Sequence, residues 1–315
     1  MEFWVGVTDN KWYEFLANLQ PEEVNFWQPS GTPPFKKRIE LFLFKLHSPL
    51  NYIAGGGYFV TYTNLPISLA WETFEEKNGV SNYSDFRNTI LNYRESRGRV
   101  RGIDPEIGCS VLAQPFFFDR EDWIPIPEDW KLNIVRGKMY NTQKDLGAKL
   151  FDDVQRRLNN RGLVTPDPLD PSVSPKTSEL QNSRYGAEYL TRARIGQGSF
   201  RVLVTNAYGK RCAMTGEKTL PVLEAAHIRA YSESGPHMTS NGLLLRADLH
   251  RLFDRHYITI TPKLKIEVSK RIHEEYANGK DYYKLHGKDL AVLPNHPNDL
   301  PSQQYIEWHN QKFCG

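Results

Sequence analysis

Residues 224–254 read EAAHIRAYSESGPHMTSNGLLLRADLHRLFD, and this stretch decides how the second half of the chain folds. It opens inside VLEAAHI (Val222 to Ile228), a short apolar run ending in a histidine, which predicts a strand. RAYSESGPHMTSNG is rich in Ser, Gly and Pro and predicts a turn-forming loop. GLLLRADLHRLFD changes to a helical pattern, with Leu245, Leu249, Leu252 and Phe253 on one face. Strand, loop, strand and helix make a ββα unit able to gather polar side chains around one ion.

Three polar residues fall at the joints of that unit, and each suits a step of phosphodiester hydrolysis. His227, at the strand end, is a candidate general base, because a neutral imidazole accepts a proton from water near physiological pH. Asn241 would hold backbone or ring so that the base faces the scissile phosphate. His250, on the helix, is a candidate ligand for a divalent cation, Mg²⁺ or Mn²⁺, which would polarise the phosphate. Carboxylates stand nearby in sequence. Residues two apart in a strand share a face, so Glu224 points with Ala226 and has the longer reach. Asp254 lies one helical turn beyond His250 and is the second candidate ligand. The chain's other histidines, His237, His256, His273, His286, His296 and His309 among them, have no spacing argument for a role.

The stretch resembles the HNH nucleases of the ββα-metal class, in the branch written AAHI…NGLLL…DLHRLFD, over about Arg192 to Ile260. Many such enzymes carry a metal-binding Asp immediately before the base histidine, where this chain has Ala226. The resemblance therefore implies that Glu224 supplies the missing carboxylate. Many HNH domains are also clamped by paired cysteines around zinc. Here Cys109, Cys212 and Cys314 are too scattered for such a knuckle, so no structural zinc is expected. Scattered cysteines, no signal peptide and no run long enough to span a membrane point to a cytoplasmic chain.

The net charge of +3 is too small to argue for nucleic acid by itself. Clustered cations say more: Arg94, Arg97, Arg99 and Arg101 lie close together, and Lys210 and Arg211 precede the ββα unit. Arg97, Arg99, Lys210 and Arg211 are candidates for phosphate contact, although a solvated basic loop accounts equally well for the first cluster. The division of the chain is legible. TPDPLDPSVSPKTSELQNS is too polar and proline-rich to pack, which predicts domains at 1–160 and 185–315 with a linker at 161–184. Ahead of the linker, Thr142 to Asn160 reads as an amphipathic helix with Leu146, Leu150, Val154 and Leu158 in one stripe.

The first half opens with EFWVGVTD, a strand, and KWYEFLANL, a helix. EVNFWQPSG reads as a turn bearing two aromatics, ELFLFKLH as a strand, and NYIAGGGYFVTYT as a strand pair bent by glycines. LPISLAWETF begins another helix. The mixture predicts an α+β fold, a small curved sheet or barrel. FWVGVTD, VNFWQPSG, LFLFKLHSPLNYIAGGGYF and LPISLAW together resemble the EVE domains of the PUA-like superfamily over residues 1–155. An EVE domain joined to an HNH domain resembles the modification-dependent restriction endonucleases that attack phage DNA carrying modified cytosine.

That resemblance implies double-stranded DNA as partner and hydroxymethylcytosine, ahead of methylcytosine, as the base flipped into the N-terminal domain. Unstacking costs a few kcal/mol, and an aromatic face returns roughly 1–3 kcal/mol. Trp27 and Trp71 are the candidate pocket walls, with Asn25 and Ser30 placed to bond the base edge. A tryptophan is more often core than cage. One ββα unit cuts one strand, so cutting both implies a homodimer. The rival readings are a modified-base reader with a degenerate nuclease, and an HNH nuclease with no modification requirement.

Overall fold

The computed structural model describes residues 1–36, 39–96, 98, 102–131, 133–160 and 195–313. The chain divides into two compact units, Met1–Arg194 and Ile195–Gly315. The predicted linker, and with it Arg97, Arg99 and Arg101, lies outside the described residues.

In the first unit β1 (Glu2–Thr8), β3 (Leu41–Leu46) and β4 (Tyr52–Pro66) form the centre of a mixed sheet. The strand order is β2–β5–β4–β3–β1–β7, with β2 at Glu23–Gln28, β5 at Glu106–Phe117 and β7 at Gly137–Asn141; the two-residue β6 (Ile124–Pro125) pairs with β4. β1 and β3 run parallel. LFLFKL reads as a continuous apolar run because β3 is covered on both faces. Phe3, Val5, Leu41 and Leu43 pack with Leu150, Val154 and Leu158 of α4 (Asp145–Asn160). Trp4, Phe42 and Phe44 pack on the other side with Trp12, Tyr13 and Leu16 of α1 (Asn10–Leu19). The Asp9 carboxylate accepts from the Lys11 and Trp12 amides and fixes where α1 begins.

The sheet is curved but not closed. β2 and β7 are its two ends, yet Arg136, just before β7, donates to Gln28 Oε1 at 2.8 Å and to the Thr32 carbonyl at 2.7 Å. A guanidinium thus ties the ends together where no strand pairing does. Two expectations need correcting. EVNFWQ is the edge strand β2 rather than a turn, because its backbone pairs with β5 from Glu23 to Gln28. NYIAGGGYFVTYT is one long strand, not two, and shifts of register after Gly56 and Phe59 bend it. Its glycines allow neighbours to close in: a Cβ on Gly55 would collide with the Phe116 carbonyl oxygen.

The second unit is built around β8 (Leu223–His227) and β9 (Gly242–Arg246), paired antiparallel, followed by α6 (Ala247–Asp254). α5 (Gln197–Ala207) brings Phe200 and Val204 against this hairpin, and the core continues through Leu249 and Phe253. β10 (Ile258–Ile260) and β11 (Ile266–Val268) form a second hairpin. The remainder of the chain completes the core through Ile272 on α7 (Arg271–Tyr276) and Ile306 on α9 (Gln303–Asn310), past the short α8 (Lys280–Tyr283). His309 locks α9 down: its Nε2 donates to the Phe253 carbonyl at 3.0 Å and its Nδ1 lies 2.7 Å from the Thr259 hydroxyl.

Gly55→Ala should therefore destabilise the first unit by about 1–3 kcal/mol, the usual cost of overpacking. Thermal melting followed by circular dichroism checks it, and an unchanged first-unit transition would contradict the close-approach account.

Candidate active site

The ββα hairpin sets the positions of the polar residues. His227 ends β8 directly opposite Gly242, the first residue of β9. A Cβ at 242 would run into Val204, with the Phe200 ring close behind, so glycine is required for the hairpin to lie on α5. That contact places Phe200 under the base candidate: the His227 imidazole stacks on it with centroids 3.9 Å apart and planes 11° apart.

His227 is half-buried and its Nε2 lies 2.9 Å from Nδ1 of His237. Burial first, then the neighbouring His237 and His250, push its imidazolium down to about 4. The ring is therefore neutral and able to accept a proton at pH 7. Asn241 is fully buried, and its side chain hydrogen-bonds to the loop backbone. Its Oδ1 accepts the Arg229 amide at 2.9 Å, and its Nδ2 donates to the Arg229 and Pro236 carbonyls, each at 3.0 Å. Its own carbonyl accepts the Ile228 amide at 2.9 Å. Asn241 is the clasp of the loop between β8 and β9.

On the other side, Glu224 and α6 come together. His250 Nδ1 lies 2.7 Å from Glu224 Oε2, and its Nε2 lies 3.3 Å from Asp254 Oδ2. Burial raises the Asp254 carboxyl, partly offset by the nearby imidazoles of His250 and His256. The side chains of Glu224 and Asp254 are 41% and 56% exposed, so a cation from solvent can reach either. Oxygen and imidazole donors of this kind suit a hard divalent ion. Among the described residues, however, no three His, Cys, Asp or Glu side chains converge on one point. The reason is geometric: the two carboxylates engage opposite nitrogens of one ring.

In the first unit Asn25 and Trp27 lie on β2, Ser30 just after it, and Trp71 on the helix Ile67–Phe74. Trp27 and Trp71 are brought together, but on the Phe86 ring of α3 (Tyr83–Glu95), at 5.6 Å and 5.9 Å between centroids. The Trp27 indole N–H is spent on the Asn78 carbonyl at 2.9 Å. Asn25 is fully buried and donates to Asn78 Oδ1 at 2.9 Å. The Ser30 carbonyl lies against Gly108. Trp27 and Trp71 thus share one ring of α3, and Trp27 and Asn25 share Asn78 as partner. Arg94, from the basic cluster, is likewise used internally, donating to the Pro29 and Glu106 carbonyls at 2.8 and 2.7 Å. Lys210 sits just past α5 in a left-handed backbone conformation, and Arg211 beside it is exposed.

Residues 212–261 match the HNH endonuclease family. His227, Asn241 and His250 all fall inside the matched segment, and the second unit carries an HNH domain. No curated protein matches the chain. Among solved structures, a "Modification dependent TagI restriction endonuclease" is similar over 93% of this chain and 76% of its own, at 14% identity and a TM-score of 0.27. Two structures of an ASCH protein from Zymomonas mobilis, each of a different mutant, align with 48% of this chain and with 96% and 94% of their own. Both are 10% identical, with TM-scores of 0.32 and 0.30.

His237 is the residue of the HNH site that spacing alone did not single out. Its neighbour Pro236 is fixed by Asn241, and Tyr231 stacks on its ring at 4.3 Å. The GPH turn was the available signal, but its contact with His227 depends on the loop folding back.

The two buried histidines of this unit generate a pH dependence. His227 and His309 are both lowered from 6.5 to about 4, chiefly by burial. Between those values the unfolded chain binds more protons than the folded one, so stability falls as pH falls. Melting temperatures of the second unit should be level above about pH 6.5 and decline toward pH 4, with a smaller decline in His227→Ala. A flat profile would contradict the neutral, buried assignment.

Proposed function

We propose that the chain is a metal-dependent endonuclease cutting double-stranded DNA that carries a modified cytosine, hydroxymethylcytosine ahead of methylcytosine. The observation that carries the nuclease reading is the pairing, within the HNH domain, of a neutral imidazole with a separate histidine flanked by two carboxylates. His227 takes the proton of the attacking water as the new P–O bond forms. The bond to the leaving oxygen breaks, and that oxygen collects a proton from solvent. His250, with Glu224 or Asp254, would hold Mg²⁺ or Mn²⁺, which supplies charge stabilisation at the phosphate. A ligating histidine that gives its second nitrogen to a carboxylate is held in one orientation, and His250 has a carboxylate at each nitrogen. Asn241 keeps the loop in register beside the base.

The modified-base reading rests on the resemblance of residues 1–155 to EVE domains. On this reading the base is flipped into the first unit, two copies act together to cut both strands, and the protein restricts phage DNA in the cytoplasm. Lys210 and Arg211 meet the backbone near the cut, as would Arg97 and Arg99.

One DNA sequence prepared with cytosine, methylcytosine, hydroxymethylcytosine or glucosylated hydroxymethylcytosine tests this with Mg²⁺ or Mn²⁺. Cutting confined to modified forms is the expected result. Equal cutting of all four would discard the reader, and no cutting with either metal would favour a degenerate nuclease. His227→Ala should lose roughly 10²–10⁴-fold in rate, the usual worth of a general base, with DNA binding retained. Comparable cutting by that variant would remove His227 as the base.

A further inference from the structure

We propose that His237 is a positioning residue for the general base, its Nδ1 accepting the Nε2–H of His227 and so selecting the tautomer whose Nδ1 is left for water. The inference rests on the nuclease reading above and assigns a part of it that the His–Asn–His pattern does not contain.

The geometry leaves few alternatives. His227 Nε2 and His237 Nδ1 are 2.9 Å apart, so one of them carries the shared proton. If His237 donated, the neutral His227 would hold its own proton on Nδ1 and have no lone pair for water. If His227 donates, Nδ1 is the basic nitrogen and His237 carries its proton on Nε2. Only the second arrangement is competent. It also serves the step that follows: once His227 has taken the proton, the imidazolium keeps a hydrogen-bond acceptor at Nε2. The titratable groups that act on His227 are His237 from the loop and His250 from α6. Two imidazolium ions at a centroid separation of 5.0 Å oppose one another, which keeps the pair from charging twice.

His237 is itself held in place from three sides. Tyr231 stacks on its ring with planes 11° apart. Asn241 clasps the Pro236 carbonyl immediately before it. The same loop is anchored to the C-terminal segment, where Lys312 pairs with Glu233 and the Arg229 guanidinium lies 5.6 Å over the Trp308 ring, while Arg229 Nε donates to the Glu233 carbonyl at 2.8 Å. Asn241 therefore acts on the base through the loop that presents His237.

Two measurements on the full chain test this. In steady-state cleavage, His237→Ala should lower kcat roughly 10- to 100-fold, a part of the roughly 10²–10⁴-fold that a general base supplies, and leave KM nearly unchanged. His237→Asn, whose Oδ1 can replace the Nδ1 acceptor, should recover most of that loss. Finally, ¹⁵N-edited NMR of the imidazoles should place the His227 proton on Nε2 in the wild-type chain, a readout that needs no DNA cutting. Wild-type kcat in His237→Ala would overturn the proposal, as would equal losses in both variants. So would a His227 proton on Nδ1. A wild-type chain that cuts no DNA would instead overturn the nuclease reading, and the NMR result would still decide the pairing.

Discussion

The stacking of His227 on Phe200 is the contact from which the HNH site is assembled. It takes one face of the imidazole out of water and, with the surrounding burial, keeps the ring neutral. It exists only because residue 242, directly across the hairpin, has no side chain to hold α5 away. One glycine thus sets both how closely β9 lies on α5 and the protonation state of the base. The opposite edge of the ring is left to the loop, whose shape is set by the buried amide of Asn241.

The same hairpin separates two histidines that do different work. β8 presents Glu224 toward α6, where His250 lies between two carboxylates that remain open to solvent. His227, three residues further along the strand, is instead enclosed by aromatic rings and a second imidazole. On the proposed mechanism the solvent-reachable carboxylate–imidazole cluster holds the cation, and the half-buried neutral imidazole beside another imidazole takes up the proton from water. The chemistry is divided by burial rather than by residue type.

Much of this was legible because it is local. Strand alternation put Glu224 in reach of His250, and the Leu249–Phe253 pattern put His250 and Asp254 on one helix one turn apart. The first unit was harder. VNFWQ looks like an aromatic turn until β5, which is distant in sequence, pairs with it. The glycines of β4 suggest a break, yet what they provide is room for the Phe116 carbonyl. That Trp27 and Trp71 share the Phe86 ring, and that the Asn78 carbonyl takes the Trp27 indole proton, depends on α3 folding back onto the sheet, which no local pattern announces. His237 was invisible for a similar reason: its place against His227 is decided by how the loop closes, and loop closure leaves no periodicity in sequence.

The division of labour between the two histidines is the centre of the account, and a calorimetric titration of the full chain with Mn²⁺ addresses it most directly. The account predicts one binding event that survives His227→Ala and disappears in His250→Ala. Binding lost in His227→Ala, or retained in His250→Ala, would contradict it.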